Sequence, residues 1–522
     1  MKKFLSRHGG SVTGTLCGFD RVVFRGTLRM LAHVGGLRTY LWASRVLLKD
    51  FGDHARELQR RLKAASEALA GREARPWLYL SSSSISKEEI AREIAERDGI
   101  DHGLVCILRA VEPCLSYEIV RDREARRLDV KARHRKCLHI YHYRIDRQFG
   151  FMHARIQTWF PFSIQVCLNG REWLARSMDE AGLAYAQRDN CFVWLEDHKR
   201  AQQLMDQQVQ ANWPQLLDRI AGEVNPQHQE MFRDFPMKYY WSTYQSEWAS
   251  DLLFADRARL ARFYPKLVQH GLTTFLSPDV MRFLGRKIPA SGHLPGRLKA
   301  NVVSDIKRRP EGVRIKHRVA TNSIKMYDKQ GSVLRVETTI NDTRQFKVFR
   351  RPEGKPDAPQ SWQRMRKGIA DLHRLTRICQ AANDRYLDAL ASVEDTKSLG
   401  ELSAQLCQPT WRNGRRVRAL NPYAPDDAQL LEIISRGEFI INGLRNRDLR
   451  RLLFDDDAAP KSVQRRHTAA VSRKLTILRA HKLIHKVPRT HRYHLTARGR
   501  TAVTALLTAR RASSDLLTKL AA

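Results

Sequence analysis

The chain has 522 residues, 42% of them hydrophobic and 8% aromatic, which is material for roughly three packed domains and argues against disorder as the main state. Lysine and arginine number 92 against 55 aspartate and glutamate, a formal net charge of +37. A field of that sign gathers polyanions, so nucleic acid or an anionic membrane is the expected partner, and small-metabolite chemistry is disfavoured.

Membrane insertion is not expected, because no apolar run approaches the ~18 residues that a spanning helix needs. The opening MKKFLSRHGG places Arg7, His8 and two glycines where an export signal carries its apolar core. The eight cysteines are scattered singly, with no C-x-x-C pair, which fits free thiols in a reducing cytosol. A cytoplasmic protein is the expectation.

Residues 1–195 read as a mixed α/β domain. Val12 to Leu28 reads as two short β segments around a polar turn holding Asp20 and Arg21. A helical stretch runs from Leu37 to Ala70, and Ser86 with Glu89 makes a capping box ahead of Ile90 and Ile94. GLVCILRAV, CLSYEIVRD, CLHIYHYRI and FMHARIQTWFPFSIQVCL read as strands, and NGREWLARSMDEAGL as a turn and a helix.

Residues 196–395 read as an α/β middle domain. It begins helical, carries an aromatic block from Tyr239 to Trp248, and contains an antiparallel meander over 312–350. Such aromatics beside basic residues suit either base stacking or a core. A helix from Gly368 to Val393 closes the domain, and 396–425 reads as a basic linker.

Two sets of residues in these front domains suggest chemistry. In the meander, Tyr327, Lys329, Leu334, Arg335 and Glu337 resemble segments of plasmid and phage rolling-circle replication initiators. The resemblance implies Tyr327 as a nucleophile, with Lys325 and Lys329 on its own face to stabilise an oxyanion. Arg335 and Glu337 share a strand face and suit a phosphate, a metal or a cross-strand ion pair. The paired metal histidines of such enzymes are missing, since His139 and His142 stand three apart and point to opposite faces of a strand. Cys137 and His139 do share a face.

The second set is acidic. Asp20 sits beside a strand, where polynucleotidyl transferases often place a metal-binding carboxylate, and Glu118, Glu172 and Glu247 are candidates to complete it. Asp20 and Glu118 are the preferred pair, with Mg²⁺ or Mn²⁺ as the cofactor if the chain is catalytic and none otherwise. Ion pairing of Asp20 with Arg21 and Arg25 is the alternative. No P-loop, dinucleotide fingerprint, G-x-S-x-G or H-E-x-x-H occurs.

The C-terminal segment, 426–511, reads as helix (AQLLEIISRG), strand (EFIIN), two helices (RNRDLRRLLF and VSRKLTILRAHKLI), two strands around Pro488–Thr490, and a helix capped by Thr496. The string KLTILRAHKLIHKVPRTHRYHLTARG resembles the recognition helix and wing of MarR-like winged-helix DNA-binding proteins. From Lys461 to Arg511 there are 14 Lys plus Arg and no acid. The resemblance implies that Arg465, Arg466, Arg473, Lys474 and Arg479 meet bases or phosphates in the major groove. Lys486, Arg489 and Arg492 then touch the backbone or minor groove from the wing.

The expected fold class is therefore α/β, in an α+β layout: mixed antiparallel-sheet front domains and a C-terminal winged helix-turn-helix. The expected partner is double-stranded DNA, with single-stranded DNA or RNA open for the front domains. Two function classes fit. One is a DNA-binding protein of a mobile element or plasmid, acting in replication initiation, transposition or recombination; the other is a non-catalytic transcriptional regulator or an RNA-binding nucleoprotein component.

Overall fold

The structure, a computed structural model, describes residues 1–124, 126–286, 302–309, 312–352, 354–355, 357–393, 399–488 and 490–513. The fold is mixed α/β, and the chain forms two interleaved units. A sheet unit holds 16–249 with 339–377, and a composite unit holds 1–15 with 250–338 and 378–522. The boundaries expected at 195 and 395 fall inside these units rather than between them.

In the sheet unit, strands β1 (Val12–Leu28), β2 (Trp77–Leu80), β3 (Gly103–Asp122), β4 (Arg127–Asp146), β5 (Gly150–Gln157), β6 (Ile164–Asn169) and β9 (Tyr239–Phe254) lie in the order β9-β1-β6-β5-β4-β3-β2. β1 pairs antiparallel with β6, Phe24 opposite Val166, while β2 pairs parallel with β3. The sheet is therefore mixed. The expected turn at Asp20–Arg21 is absent, for β1 runs unbroken through both residues. Val22, Val23 and Phe24 are all buried, so the strand is covered on both faces, and its β-branched and aromatic residues outweigh the two charges.

A hairpin of β7 (Tyr185–Arg188) and β8 (Cys191–Leu195) turns at Asp189 and Asn190, Asp189 having φ 51°. The expected helical stretch from Leu37 to Ala70 is divided into α2 (Val34–Ala43) and α3 (Phe51–Arg72). Arg45 at φ 54° breaks it. α3 buries Ala55, Leu58, Leu62, Ser66 and Ala70, one stripe at helical spacing. α4 (Lys87–Arg97) starts where Ser86 Oγ accepts from Glu89 N. α5 (Gly170–Glu180) is capped by Asn169. Its first glycine is forced by packing, because a Cβ there would lie 2.2 Å from Phe19 O.

In the composite unit, β10 (Val302–Arg309), β11 (Gly312–Val319), β12 (Asn322–Lys329) and β13 (Val333–Thr339) follow one another as an antiparallel meander. The N-terminal α1 (Lys2–His8) sets Phe4 against Phe263, with ring centroids 6.1 Å apart. Within the C-terminal region the helices Pro425–Ile434, Asn446–Phe454, Lys461–Ala480 and Ala497–Arg511 surround a three-stranded sheet. Its strands are β18 (Leu444–Arg445), β19 (Ile484–Lys486) and β20 (Arg492–Leu495), in the order β18-β20-β19.

Two expectations for this region are corrected. EFIIN lies in a short helix, Gly437–Asn442, rather than a strand, and Glu438 pairs with Arg282 at 2.7 Å. The expected linker is built into the module: Leu406 and Leu420 are buried in the same core as Leu475, Leu478 and Leu506, and Thr410–Arg412 pairs with Arg415–Val417 across an Asn413-Gly414 turn. All eight cysteines are free thiols. Among the described residues, no helix is long and apolar enough to cross a membrane.

Candidate functional site

The helix Lys461–Ala480 buries Val471, Leu475 and Leu478 and turns Arg465, Arg466 and Arg473 to solvent. Ala469, Ser472 and Thr476 lie on that same exposed strip. Small side chains between arginines let a helix approach a flat partner closely while the guanidinium groups reach outward. The preceding helix, Asn446–Phe454, is fixed against it by Asn446 Nδ2, which donates to Thr468 O at 3.0 Å and Ser472 Oγ at 2.9 Å. Below, Asp456 binds His467 at 2.7 Å and Arg450 at 3.2 Å.

The remaining predicted basic residues are placed less uniformly. Lys474 and Arg479 are half-buried at the margins of the strip, and Arg479 stands 6.0 Å from the Tyr493 ring. Lys486 is exposed on β19, and Arg492 is half-buried on β20 opposite Arg445. Arg489 lies outside the described residues.

In the sheet unit, β1 and β9 bring Asp20 and Glu247 together, with carboxylate oxygens within 4.8 Å of one another. Asp20 is buried and accepts from Asn190 Nδ2 at 2.6 Å, and Glu247 accepts from Gln245 Nε2 at 3.1 Å. They line a cavity of about 240 Å³ with Arg21, Glu88, Arg92 and Asp189. Arg21 Nε donates to Cys167 Sγ at 3.1 Å. The Cys167 sulfur, together with Glu247 and Glu88, raises the guanidinium's proton affinity. Burial pushes the nearby Glu172 carboxyl above its ordinary value, against the pull of Arg92. Two carboxylates this close can share one cation, an arrangement that hard divalent ions use.

The other acidic candidate is placed elsewhere. Glu118 on β3 is engaged across the ladder by Arg133 at 2.8 Å and Arg135 at 3.9 Å, and it does not line the Asp20 cavity. Of the wider acidic set, Glu247 joins Asp20. Glu88, Asp189 and Asn190 are additions that sequence reasoning missed. An Asp-Asn turn is legible, but its approach to Asp20 depends on long-range packing.

Tyr327 on β12 is 8% exposed, which leaves a phosphodiester little access to its hydroxyl. Lys325 and Glu337 form an ion pair at 2.6 Å within the meander, and Arg335 pairs with Asp251 of β9. His139 and His142 are both buried. His139 Nδ1 is 3.1 Å from Cys137 O, and His142 Nε2 is 3.3 Å from Ser66 Oγ. The aromatic block divides by strand alternation: Trp241 is buried and donates to Asp218 at 2.7 Å, while Tyr240 and Tyr244 face outward beside Arg29 and Arg25.

Comparison with known proteins finds no matching family model, curated protein or solved structure.

Proposed function

We propose that the chain binds duplex DNA through residues 426–511, folded as a winged helix. The helix Lys461–Ala480 enters the major groove and the β19–β20 hairpin lies along the backbone. The observation that carries the reading is the exposed strip of Arg465, Arg466 and Arg473, set opposite the buried Val471, Leu475 and Leu478. The absence of acids from Lys461 to Arg511 supports it further. Such a module finds a site, and the large remainder of the chain suits an element-encoded protein of replication initiation, transposition or recombination. Sequencing the nucleic acid that co-purifies with the full chain tests the reading: enrichment of one duplex site supports it, and recovery of RNA alone overturns it.

A second reading is favoured by one observation, the close approach of Asp20 and Glu247. Asp20 and Glu247 would hold Mg²⁺ or Mn²⁺, and the ion would supply Lewis-acid polarisation of a phosphodiester oxygen or a water of lowered pKa. Arg21 and Arg92 at the same cavity can offset charge on the attacked phosphate. Nicking of supercoiled plasmid that requires the metal and is lost in Asp20→Asn supports this reading. Site-specific binding without cleavage leaves the protein a regulator.

A further inference from the structure

Together with α1, the β19–β20 hairpin and the helix after it concentrate positive charge around a void. In the composite unit, a cavity of about 790 Å³ is lined by Lys3 and Arg7 from α1, His485 from β19, His494 from β20 and Arg500 from the C-terminal helix Ala497–Arg511. No carboxylate is among its lining residues.

Arg500 makes this more than a basic patch. It is 8% exposed, and its Nη1 reaches Asp388 O at a long 3.4 Å. Its Nε is buried with no hydrogen-bond partner among the described residues. A buried guanidinium with an unused donor carries a desolvation cost that an anion would offset. The Asp388 carboxylate is engaged elsewhere: its Oδ1 accepts from the backbone N of Lys3 at 2.8 Å and from the Met1 ammonium at 2.8 Å.

The two histidines complete the chemistry. His485 and His494 are cross-strand partners, with ring centroids 6.0 Å apart. Burial lowers the proton affinity of His494, and His485, Lys3, Arg492 and Arg500 add to the effect. Burial and Arg500 lower Lys3 in the same way, against Asp388. Cations held this close weaken one another until an anion arrives.

We infer that this cavity is a binding site for a phosphate group, held by Arg500, Arg7 and Lys3 and by ring N–H groups of His485 and His494. The ligand is either free phosphate or a phosphomonoester, or a backbone phosphate of bound nucleic acid; the recognition chemistry is common to both. The inference does not rest on the DNA reading, since the exposed arginines of Lys461–Ala480 take no part in it. An anion bound here relieves the mutual repulsion that Lys3, Arg492 and Arg500 exert on His494.

The test is calorimetric titration of the full-length protein with inorganic phosphate at one fixed pH. Saturable binding, weakened at least about tenfold in Arg500→Gln, is the expected result. If Arg500→Gln fails to fold, Lys3→Gln combined with His494→Gln gives the same readout from less buried positions. Phosphate that binds without displacing duplex DNA identifies a free-phosphate site. Displacement, or a lower salt slope for duplex binding in the variants, identifies a backbone phosphate. No phosphate binding at millimolar concentration, together with an unchanged salt slope, overturns the inference.

Discussion

Arg335 and Asp251 form a two-pronged ion pair inside the composite unit, Nε to Oδ1 at 2.6 Å and Nη2 to Oδ2 at 2.9 Å, with side chains 0% and 1% exposed. Matching fork geometry makes such a pair tolerable in a low-dielectric interior. Removing one partner leaves the other charge in the interior without its two-pronged counterpart. Asp251→Ala is expected to cost about 3–5 kcal/mol in urea unfolding, whereas replacing both residues with apolar ones of similar volume is expected to cost less. A single-mutant loss below about 1 kcal/mol would show that the pair is not desolvated.

The Asp20–Glu247 approach gives a prediction that does not depend on catalysis. Asp20→Asn keeps an oxygen that can accept from Asn190 and removes one of the two carboxylates that a divalent ion would use. With millimolar Mn²⁺ the parent gains stability by mass action and the variant does not. Differential scanning fluorimetry with and without Mn²⁺ distinguishes this from a simple packing defect, which lowers both curves.

For duplex DNA, Arg466→Glu with Arg473→Glu is expected to weaken binding by at least about a hundredfold at moderate salt, since each reversal turns an attraction into a repulsion. Lys486→Ala, on the exposed end of β19, is expected to lower the salt slope by about one unit with little change in sequence preference. Fluorescence anisotropy across a salt series reads both effects. Equal binding by the double variant would remove the Lys461–Ala480 helix from the interface.

Acid sensitivity follows from the buried imidazoles. Burial holds His142 and His153 near pKa 3, and His139 near 4, against about 6.5 in an unfolded chain. The depressed folded values mean that between these limits the unfolded chain binds more protons, so stability falls as pH drops below about 6.5. Each such histidine contributes a slope of about 1.4 kcal/mol per pH unit inside that window. Urea midpoints should be level near neutral pH and fall toward pH 4. His142→Gln, which keeps a partner for Ser66, should flatten part of that dependence.

What was legible in the sequence followed local chemistry. Ser86 capped its helix, and the leucines at 475 and 478 fixed which face of their helix is buried. Harder cases turned on distant partners. Asp20 and Arg21 looked like a turn because charge in a strand is locally unfavourable; the strand continues because Asn190 and Cys167 receive those side chains. EFIIN has strand-like residues, yet it is helical where Arg282 meets Glu438. Glu118 and Glu247 were indistinguishable by spacing, and only the sheet order determines that one meets Asp20 while the other meets arginines.

The interleaving of the two units sets a schedule for biosynthesis. Residues 1–15 leave the ribosome before the residues they pack against: Phe4 meets Phe263, and Arg7 Nη2 donates to Thr501 Oγ1 at 2.5 Å. Helix α1 therefore waits until Thr501 has been synthesised to complete these contacts. Most of the sheet unit, by contrast, can assemble from 16–249 while the ribosome is still translating the remainder. Truncations made from the C-terminus should thus release an early-folding intermediate that retains β1 to β6 but leaves the N-terminal helix accessible to protease.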